Sequence, residues 1–303
     1  MSDFTKIGLY DLIFVKKKEG GMMITYNSLK NVPTSVVIDL VNDVFKDYVF
    51  PINWNLESFE KDVKENSISL EDSFIAFSDG MPVGFSIISI RKDVGRIDSI
   101  GVKEEFRGKG LASEIIFRTI ETLKWKEIER IILEVAQSDE RSIRFYNKHG
   151  FRAKRELASF FKEKDEPTNT HFKYEQTTSD VIYEMATDAK FRFKRKPNWQ
   201  REPITIKLSE NRYNYEIIYD NNKKCGYVVW GFNKDNCYIV DASPIEEGYA
   251  FDAIIEDITS KLFEIKARIV LISVPEDDPL HQALIDNNYS TFIKQIEMER
   301  IIH

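Results

Sequence analysis

Residues 106–116, FRGKGLASEII, place two glycines and two cations directly before an amphipathic helix pattern. Glycine is a poor helix former, so Gly108 and Gly110 need another reason for their positions. A helix N-terminus presents unpaired backbone N–H groups and the positive end of the helix dipole, and glycine lets an anion approach them without a Cβ in the way. Arg107 and Lys109 add positive charge. The stretch is therefore suited to bind a phosphate or a pyrophosphate.

Two common phosphate-binding motifs do not fit this stretch. It lacks the glycine-to-GK[ST] spacing of a P-loop, and Ser113 stands where the dinucleotide-binding fingerprint has its third glycine. A Gly-Lys-Gly turn taken alone is also compatible with an ordinary solvated loop. Only the flanking sequence can therefore distinguish an anion-binding site from an ordinary solvated loop.

The sequence on both sides alternates between helix and strand patterns. Val37, Leu40 and Val41 follow the spacing of an amphipathic helix, and Asp79-Gly80 is a turn signal between two apolar runs. This alternation predicts an α/β domain with a mixed sheet. The predicted elements are helices over 35–50 and 57–66, a hairpin over 73–92, a strand over 95–102, a helix ending near 126, a strand over 130–136, a helix over 140–149 and a strand over 151–160.

The chain repeats itself at an offset of 138 residues. Residues 130–151, RIILEVAQSDERSIRFYNKHGF, align without a gap on residues 268–289, RIVLISVPEDDPLHQALIDNNY. Further upstream, Gly84 falls on Gly226 after a small shift, which we interpret as a shorter hairpin in the second half. The pattern favours a divergent duplication over chance.

The second copy lacks the cations of the first. At the 138-residue offset Gly110 falls on Gly248, but the places of Arg107, Gly108 and Lys109 are taken by Ile245, Glu246 and Glu247. Two carboxylates at a helix N-terminus would repel a pyrophosphate. We therefore predict an N-terminal extension over 1–22, an active domain over 23–165, a polar linker over 166–176 and a degenerate domain over 177–303.

Composition excludes several classes of function. The formal net charge is −7, which argues against a general nucleic-acid binder. No apolar run approaches the roughly 20 residues that cross a bilayer, and the N-terminus does not have the pattern of a signal peptide, so we expect a cytoplasmic protein without membrane partners. Two cysteines and four scattered histidines predict no metal site.

The pattern Arg107-x-x-Gly110-x-Ala112, after the strand SIGV and before a long amphipathic helix, resembles the acetyl-CoA signature of the GNAT superfamily of N-acetyltransferases. About thirty residues further on, FYNKHGF at 145–151 resembles the second motif of that family. The resemblance implies two tandem GNAT-like α/β domains, each with a mixed, mostly antiparallel twisted sheet flanked by helices. It also implies acetyl-CoA as co-substrate.

The resemblance assigns roles to individual residues of the first domain. Backbone groups of residues 100–102 would hold the pantetheine arm, and amides of residues 108–113 would hold the pyrophosphate. Asp139 stands where many members of the family carry asparagine, and it can cap the following helix. The predicted cofactor-binding residues are Ile100, Gly101, Val102, Arg107, Gly108, Lys109, Gly110, Leu111, Ala112, Ser113 and Asp139.

Acyl transfer to an amine requires a base for the amine and an acid for the leaving thiolate. Glu134 and Tyr146 are the candidates, because their separation resembles that of GNAT enzymes with a strand glutamate as base and a helix tyrosine as acid. Glu134 is also compatible with an ordinary carboxylate paired with Arg130, Tyr146 with a core aromatic, and Asp98 is the alternative base. Because the first domain has no cysteine, we expect direct attack in a ternary complex rather than an acyl-enzyme.

The acceptor amine is not determined by the sequence. Tyr48 and Trp54 lie in the segment that usually walls the acceptor site in this family, and we predict that they contact the acceptor. A small amine, an antibiotic-like amine and a protein N-terminus all remain open, as does the oligomeric state. The alternative function is a non-catalytic acyl-CoA-binding sensor or scaffold.

Overall fold

The structure, a computed structural model, describes residues 23–49, 51–164 and 170–302. The predicted extension over 1–22 lies outside the described residues, as does part of the predicted linker. Contacts divide the chain into two compact units. Unit 1 comprises the described residues up to 63 together with 67–131 and 301–302, and unit 2 comprises 64–66 and 132–300.

Unit 1 contains a four-stranded antiparallel sheet and three helices. The strand order is β1-β2-β3-β4; two of the helices precede the β2–β3 hairpin, and the third follows β4. The last residues of α2 belong to unit 2. The elements are β1 (Ile24–Ser28), α1 (Thr34–Phe45), α2 (Leu56–Glu65), β2 (Phe74–Ser78), β3 (Met81–Arg91), β4 (Val94–Val102) and α3 (Leu111–Trp125).

The sequence explains these elements locally. Val37, Leu40 and Val41 form the buried face of α1, as their spacing predicts. Asp79 and Gly80 both have positive φ angles, +47° and +78°, which is the geometry of the tight hairpin turn between β2 and β3. The predicted helices and hairpin of this unit are therefore confirmed.

The strand β5 (Arg130–Ala136) begins in unit 1 and continues in unit 2. Within unit 2 the strand order is β5-β12-β6-β11-β10-β9-β8-β7, in which β10 and β11 are parallel. The remaining elements are α4 (Glu140–Lys148), β6 (Arg152–Glu163), β7 (Lys173–Gln176), α5 (Ser179–Arg192), α6 (Pro203–Leu208), β8 (Asn214–Asp220), β9 (Lys223–Phe232), β10 (Cys237–Pro244), α7 (Phe251–Leu262), β11 (Arg268–Pro275), α8 (Pro279–Asp286) and β12 (Ser290–Ile301).

The last strand of each sequence repeat lies beside a strand of the other repeat. β6 pairs with β12 and β11, and β12 lies between β5 and β6. The contacts therefore divide the chain inside β5, whereas the sequence repeat divides near residues 166–176. The described helices include none that is long and apolar enough to cross a membrane.

The repeat is visible in the strand registers. β6 at 152–163 and β12 at 290–301 differ by the predicted 138 residues. Upstream the offset is 142, since Gly84 pairs with Val102 in β3 and β4, and Gly226 pairs with Pro244 in β9 and β10. Each glycine allows the neighbouring strand to pass closely, because an added Cβ would lie 3.0 Å from a backbone oxygen.

The change of offset does not come from a shorter hairpin, so that interpretation was wrong. Gly84 and Val102 are 18 positions apart, and so are Gly226 and Pro244, so the hairpins have the same length. The missing four residues fall between strand and helix instead: residues 103–109 separate β4 from Gly110, but only 245–247 separate β10 from Gly248. The second copy therefore has a truncated loop at the place where the first has its cationic glycine stretch.

Candidate active site

The loop from β4 to α3 has a backbone that requires its glycines. Gly108 and Gly110 have φ angles of +76° and +86°, in the left-handed region that other residues adopt with strain. An added Cβ on either residue would meet no atom within 4 Å, so packing does not explain the choice. Conformation and an open approach to the backbone are the reasons that remain.

The amides of this loop are available to a ligand. Within the part of the chain that the structure describes, the backbone N–H groups of residues 108–112 donate no hydrogen bond. The next amide, that of Ser113, donates to the oxygen of Gly110 at 3.0 Å and closes the first turn of α3. Five successive unpaired donors at a helix N-terminus form a natural anion site.

The two cations of the loop are held close to it. Arg107 Nε donates to the Val102 oxygen at 3.0 Å, and Lys109 Nζ donates to the Glu105 oxygen at 2.8 Å. The Lys109 ammonium also lies 5.3 Å from the centroid of the Phe106 ring. Both side chains are exposed, so they can turn toward a bound phosphate.

The end of β4 is shaped by close packing behind it. A Cβ on Gly101 would lie 2.6 Å from Val44 Cγ1 and 2.9 Å from the Phe85 ring. Gly101 thus lets α1 and β3 approach the strand whose residues Ile100 to Val102 are the predicted pantetheine contacts. Sequence reasoning selected these residues by resemblance, and the packing supplies a physical reason for the glycine.

The candidate base, Glu134, lies on β5 with a hydrogen bond to each carboxylate oxygen. Asn198 Nδ2 donates to Oε1 and Gln200 Nε2 donates to Oε2, both at 3.3 Å. Asn198 is 1% exposed and Gln200 is half-buried. Neither residue was predicted, because both lie more than sixty positions away and no local pattern marks them.

The candidate acid, Tyr146, lies on α4. Its half-buried ring makes an edge contact with Phe151, with the centroids 5.9 Å apart. Asp139 accepts a hydrogen bond from the Ser142 amide at 3.0 Å and thereby caps α4, as predicted. Gly150 ends this helix region with a φ of +84°.

The alternative base, Asp98, lies on β4 of unit 1 beside Arg96. Burial raises the pKa of Asp98, while Arg96 opposes this shift and Asp62 adds to it. Only 14% of its side chain is exposed. The ion pair with Arg96 gives Asp98 a structural role whether or not it takes part in catalysis.

The two residues predicted to contact the acceptor differ in how much of their surface is exposed. Trp54 is 8% exposed, its Nε1 donates to Asp62 at 2.8 Å, and its ring packs on Phe59. Tyr48 is half-buried against Phe45, with the ring centroids 5.4 Å apart. Tyr48 therefore offers more surface to an acceptor than Trp54 does.

Residues 39–151 match the model of the Acetyltransferase (GNAT) family. This chain contains a GNAT acetyltransferase domain. The match includes the loop before α3 as well as Glu134 and Tyr146. The predicted family and the predicted class of enzyme, a GNAT-type acyltransferase, are therefore confirmed.

Over 101 residues the GNAT domain is 30% identical to a protein of Bacillus subtilis (strain 168) described as a proposed [ribosomal protein bS18]-alanine N-acetyltransferase. The match covers 33% of this chain and 66% of that protein. The match therefore spans less than two thirds of the length of that relative.

Two solved structures resemble almost the whole chain. A GCN5-related N-acetyltransferase from Sphaerobacter thermophilus has a TM-score of 0.66 at 12% identity, covering 92% of this chain and 95% of that chain. A tandem GNAT protein from the clavulanic acid biosynthesis pathway has a TM-score of 0.65 at 9% identity, covering 93% and 98%. These similarities concern the fold, and they confirm the predicted tandem GNAT-like architecture.

In the second GNAT-like half a buried arginine fills a slot between β10 and β11. β10 and β11 pair only at Cys237 with Ile269 and at Tyr238 with Val270. Beyond these pairs the guanidinium of Arg201 donates to the backbone oxygens of Val240 and Ile272, one on each strand. Burial lowers the pKa of Arg201 to about 10, so the group still carries its charge at neutral pH.

A second buried arginine stands next to this slot. Arg195 donates to Asp278 at 2.9 Å, to Asp241 at 2.8 Å and to the Ala242 oxygen at 3.1 Å. Tyr227 also donates to Asp241, at 2.7 Å. All four of these side chains are at least 95% buried. The backbone oxygen of Ala242, which corresponds to Ile100 at the 142-residue offset, is thus engaged by a side chain of the protein itself.

The described residues contain no group of three or more His, Cys, Asp or Glu side chains that could hold a metal ion.

Proposed function

We propose that this chain transfers an acetyl group from acetyl-CoA to a primary amine by direct attack of the amine in a ternary complex. The observation that carries the proposal is the row of unpaired N–H groups at residues 108–112, set between left-handed glycines and the start of α3. These donors fit a pyrophosphate, and acetyl-CoA supplies both that group and an activated acyl thioester.

The binding roles follow from the same geometry. Amides of residues 108–112 hold the pyrophosphate, and Arg107 and Lys109 neutralise it, whereas the Ser113 amide closes the first turn of α3. Backbone groups of residues 100–102 hold the pantetheine arm. Asp139 caps α4 and thereby fixes the helix that carries Tyr146, so its contribution to cofactor binding is indirect.

We assign the two proton transfers of the reaction to Glu134 as the base and Tyr146 as the acid. An amine whose pKa in water is near ~10.4 is protonated at neutral pH, so it must lose a proton before its nitrogen attacks the thioester carbonyl. Glu134 accepts that proton, and the neutral nitrogen forms the C–N bond. As the C–S bond breaks, the Tyr146 hydroxyl donates its proton to the leaving sulfur, and the second proton of the nitrogen passes to the Tyr146 phenolate and restores the hydroxyl. Glu134 then releases its proton to solvent. No covalent acyl-enzyme is formed, since Cys225 and Cys237 are both buried in the second half.

We further propose that each chain binds one acetyl-CoA, in its N-terminal half. Three features of the second half support this. Its loop is four residues shorter and carries Glu246 and Glu247, Pro244 replaces Val102 and has no N–H, and Arg201 fills the gap between β10 and β11. The catalytic positions are also replaced, by Ile272 and Leu284 at the repeat offset.

The first acceptor to test is a protein N-terminus. The Bacillus subtilis relative is described as acting on the alanine of a ribosomal protein, and small amines remain candidates beside it. We propose that Tyr48, and the small exposed part of Trp54, contact this acceptor.

Release of the free CoA thiol across a panel of peptides with unblocked N-termini and of small amines tests the function. We expect thiol release with at least one acceptor and none with the Gly110→Glu variant. Tight binding of acetyl-CoA with no thiol release on any acceptor would overturn the proposal and favour a non-catalytic acyl-CoA sensor.

A further inference from the structure

Both oxygens of the Glu134 carboxylate accept hydrogen bonds from a single short segment of the second repeat. The segment is 195–201, RKPNWQR, between α5 and α6. Asn198 and Gln200 supply the donors, and each lies 3.3 Å from its carboxylate oxygen. The candidate base of the first repeat is therefore oriented by side chains of the second.

The orientation of the two amides is settled by their neighbours. Asn198 Nδ2 faces two acceptors, Glu134 Oε1 and Gln200 Oε1, the second at 2.7 Å. The reversed amide would place an oxygen against both. Because the oxygen of Gln200 is used by Asn198, its Nε2 is turned toward Glu134. Asn198 Oδ1 finds no partner among the described residues, so the orientation rests on the two Nδ2 contacts.

The segment is anchored at both ends and in the middle. Arg195 is buried between Asp241 and Asp278, and Arg201 bonds to backbone oxygens of β10 and β11. Trp199, between the two amides, donates from Nε1 to the Asn66 oxygen at 2.9 Å. A segment fixed in this way holds the amides in place without further ordering when substrate binds.

We propose that Asn198 and Gln200 are positioning residues for Glu134, and this rests on the proposed function. Two N–H donors favour the ionised carboxylate and fix the plane in which it accepts a proton. Arg201, which fills the slot between β10 and β11, and the neighbouring Arg195 thus anchor the segment that orients the candidate base of the first repeat. The second repeat takes part in the reaction without binding a cofactor.

The test uses Gln200, because it is half-buried and its replacement threatens folding less than that of Asn198. Gln200→Met keeps the size and removes the donor, and Gln200→Glu keeps the size and adds a like charge. Lys196→Ala is the matched control, since Lys196 lies on the same segment and pairs with Asp277 instead.

The readout is the titration midpoint of the Glu134 carboxyl group, followed by NMR of the full chain with ¹³C-labelled glutamate and assigned with Glu134→Gln. We expect the midpoint to rise by about one pH unit or more in both Gln200 variants, since a hydrogen bond to a charged group is lost or reversed. The acidic limb of the pH–rate profile should move by the same amount, with acetyl-CoA affinity unchanged. Lys196→Ala should leave the midpoint in place.

A midpoint that stays unchanged in both folded variants would overturn the positioning role. The titration needs no turnover, so it separates this inference from the proposed function. A shifted midpoint supports the positioning of Glu134 even in a protein that acetylates no amine.

Discussion

Val102 and Pro244 occupy the same place in the two halves of the chain, since each ends a strand opposite a glycine of the preceding strand. After Val102 the chain continues through a seven-residue cationic stretch to Gly110, whereas after Pro244 it reaches Gly248 within three residues. The two helix N-termini therefore present opposite chemistry to an anion.

We expect one acetyl-CoA per chain, with Gly110→Glu abolishing binding in calorimetric titration. A carboxylate roughly 4–8 Å from a phosphate costs about 2–4 kcal/mol at an effective dielectric near 20, more than the ~0.3–1 kcal/mol that a helix N-terminus contributes.

Gly248→Glu is the matched control for this experiment. Gly110 and Gly248 both have positive φ angles and open space around an added Cβ, so the two substitutions introduce the same strain and the same charge. Gly248→Glu should leave the stoichiometry at one. Two sites per chain, or binding that survives Gly110→Glu, would contradict the assignment.

Replacing Tyr146 with phenylalanine should lower turnover by roughly 10–1000-fold with little change in acetyl-CoA affinity. The variant loses the proton donor but keeps the ring contact with Phe151. Steady-state kinetics and calorimetry measure the two effects. Tyr249→Phe, which removes a hydroxyl bound to Asp220 in the second half, should not change the rate. A Tyr146→Phe enzyme with full activity would remove the residue from the mechanism.

Glu134→Gln should abolish the acidic limb of the pH–rate profile, and Asp98→Asn should leave it. The reason is that Asp98 is committed to the Arg96 ion pair, whereas the Asn198 and Gln200 amides donate to the two oxygens of Glu134 and orient them. If the acidic limb of the pH–rate profile persists in Glu134→Gln and disappears in Asp98→Asn, then Asp98 and not Glu134 is the base.

The raised pKa of Asp98 should also make the free energy of unfolding depend on pH. Because burial raises the pKa of Asp98 in the folded chain, its contribution to the free energy of unfolding is present below its unfolded pKa near ~3.9 and is lost as pH rises through the higher folded value. Denaturant melts from pH 4 upward should show this loss in the native chain and not in Asp98→Asn. Parallel curves for the two proteins would contradict the shift.

Arg195→Met should reduce the free energy of unfolding by about 3–5 kcal/mol, because it leaves Asp241 and Asp278 buried without their cation. Urea denaturation of the full chain measures the loss. Adding Asp241→Asn to Arg195→Met should restore part of the stability, since one uncompensated charge is removed. A loss below about 1 kcal/mol would mean that the network relaxes to a solvated form.

The GNAT fold and the anion site follow from local sequence. The glycines of FRGKGLASEII, the apolar spacing of α1 and the Asp79-Gly80 turn act over a few residues, where the backbone and neighbouring side chains decide the conformation. The 138-residue repeat revealed the tandem architecture for a similar reason, because both copies have kept the spacing of their buried residues.

Only the tertiary structure decided which residues surround the carboxylate of Glu134, the proposed base. Asn198 and Gln200 reach Glu134 because β6 and β12 lie next to strands of the other repeat, an arrangement that depends on pairing between segments far apart in sequence. The filling of the second slot by Arg201 has the same origin. The sequence around an arginine does not show which backbone oxygens its guanidinium will bond to, because every residue carries the same carbonyl group.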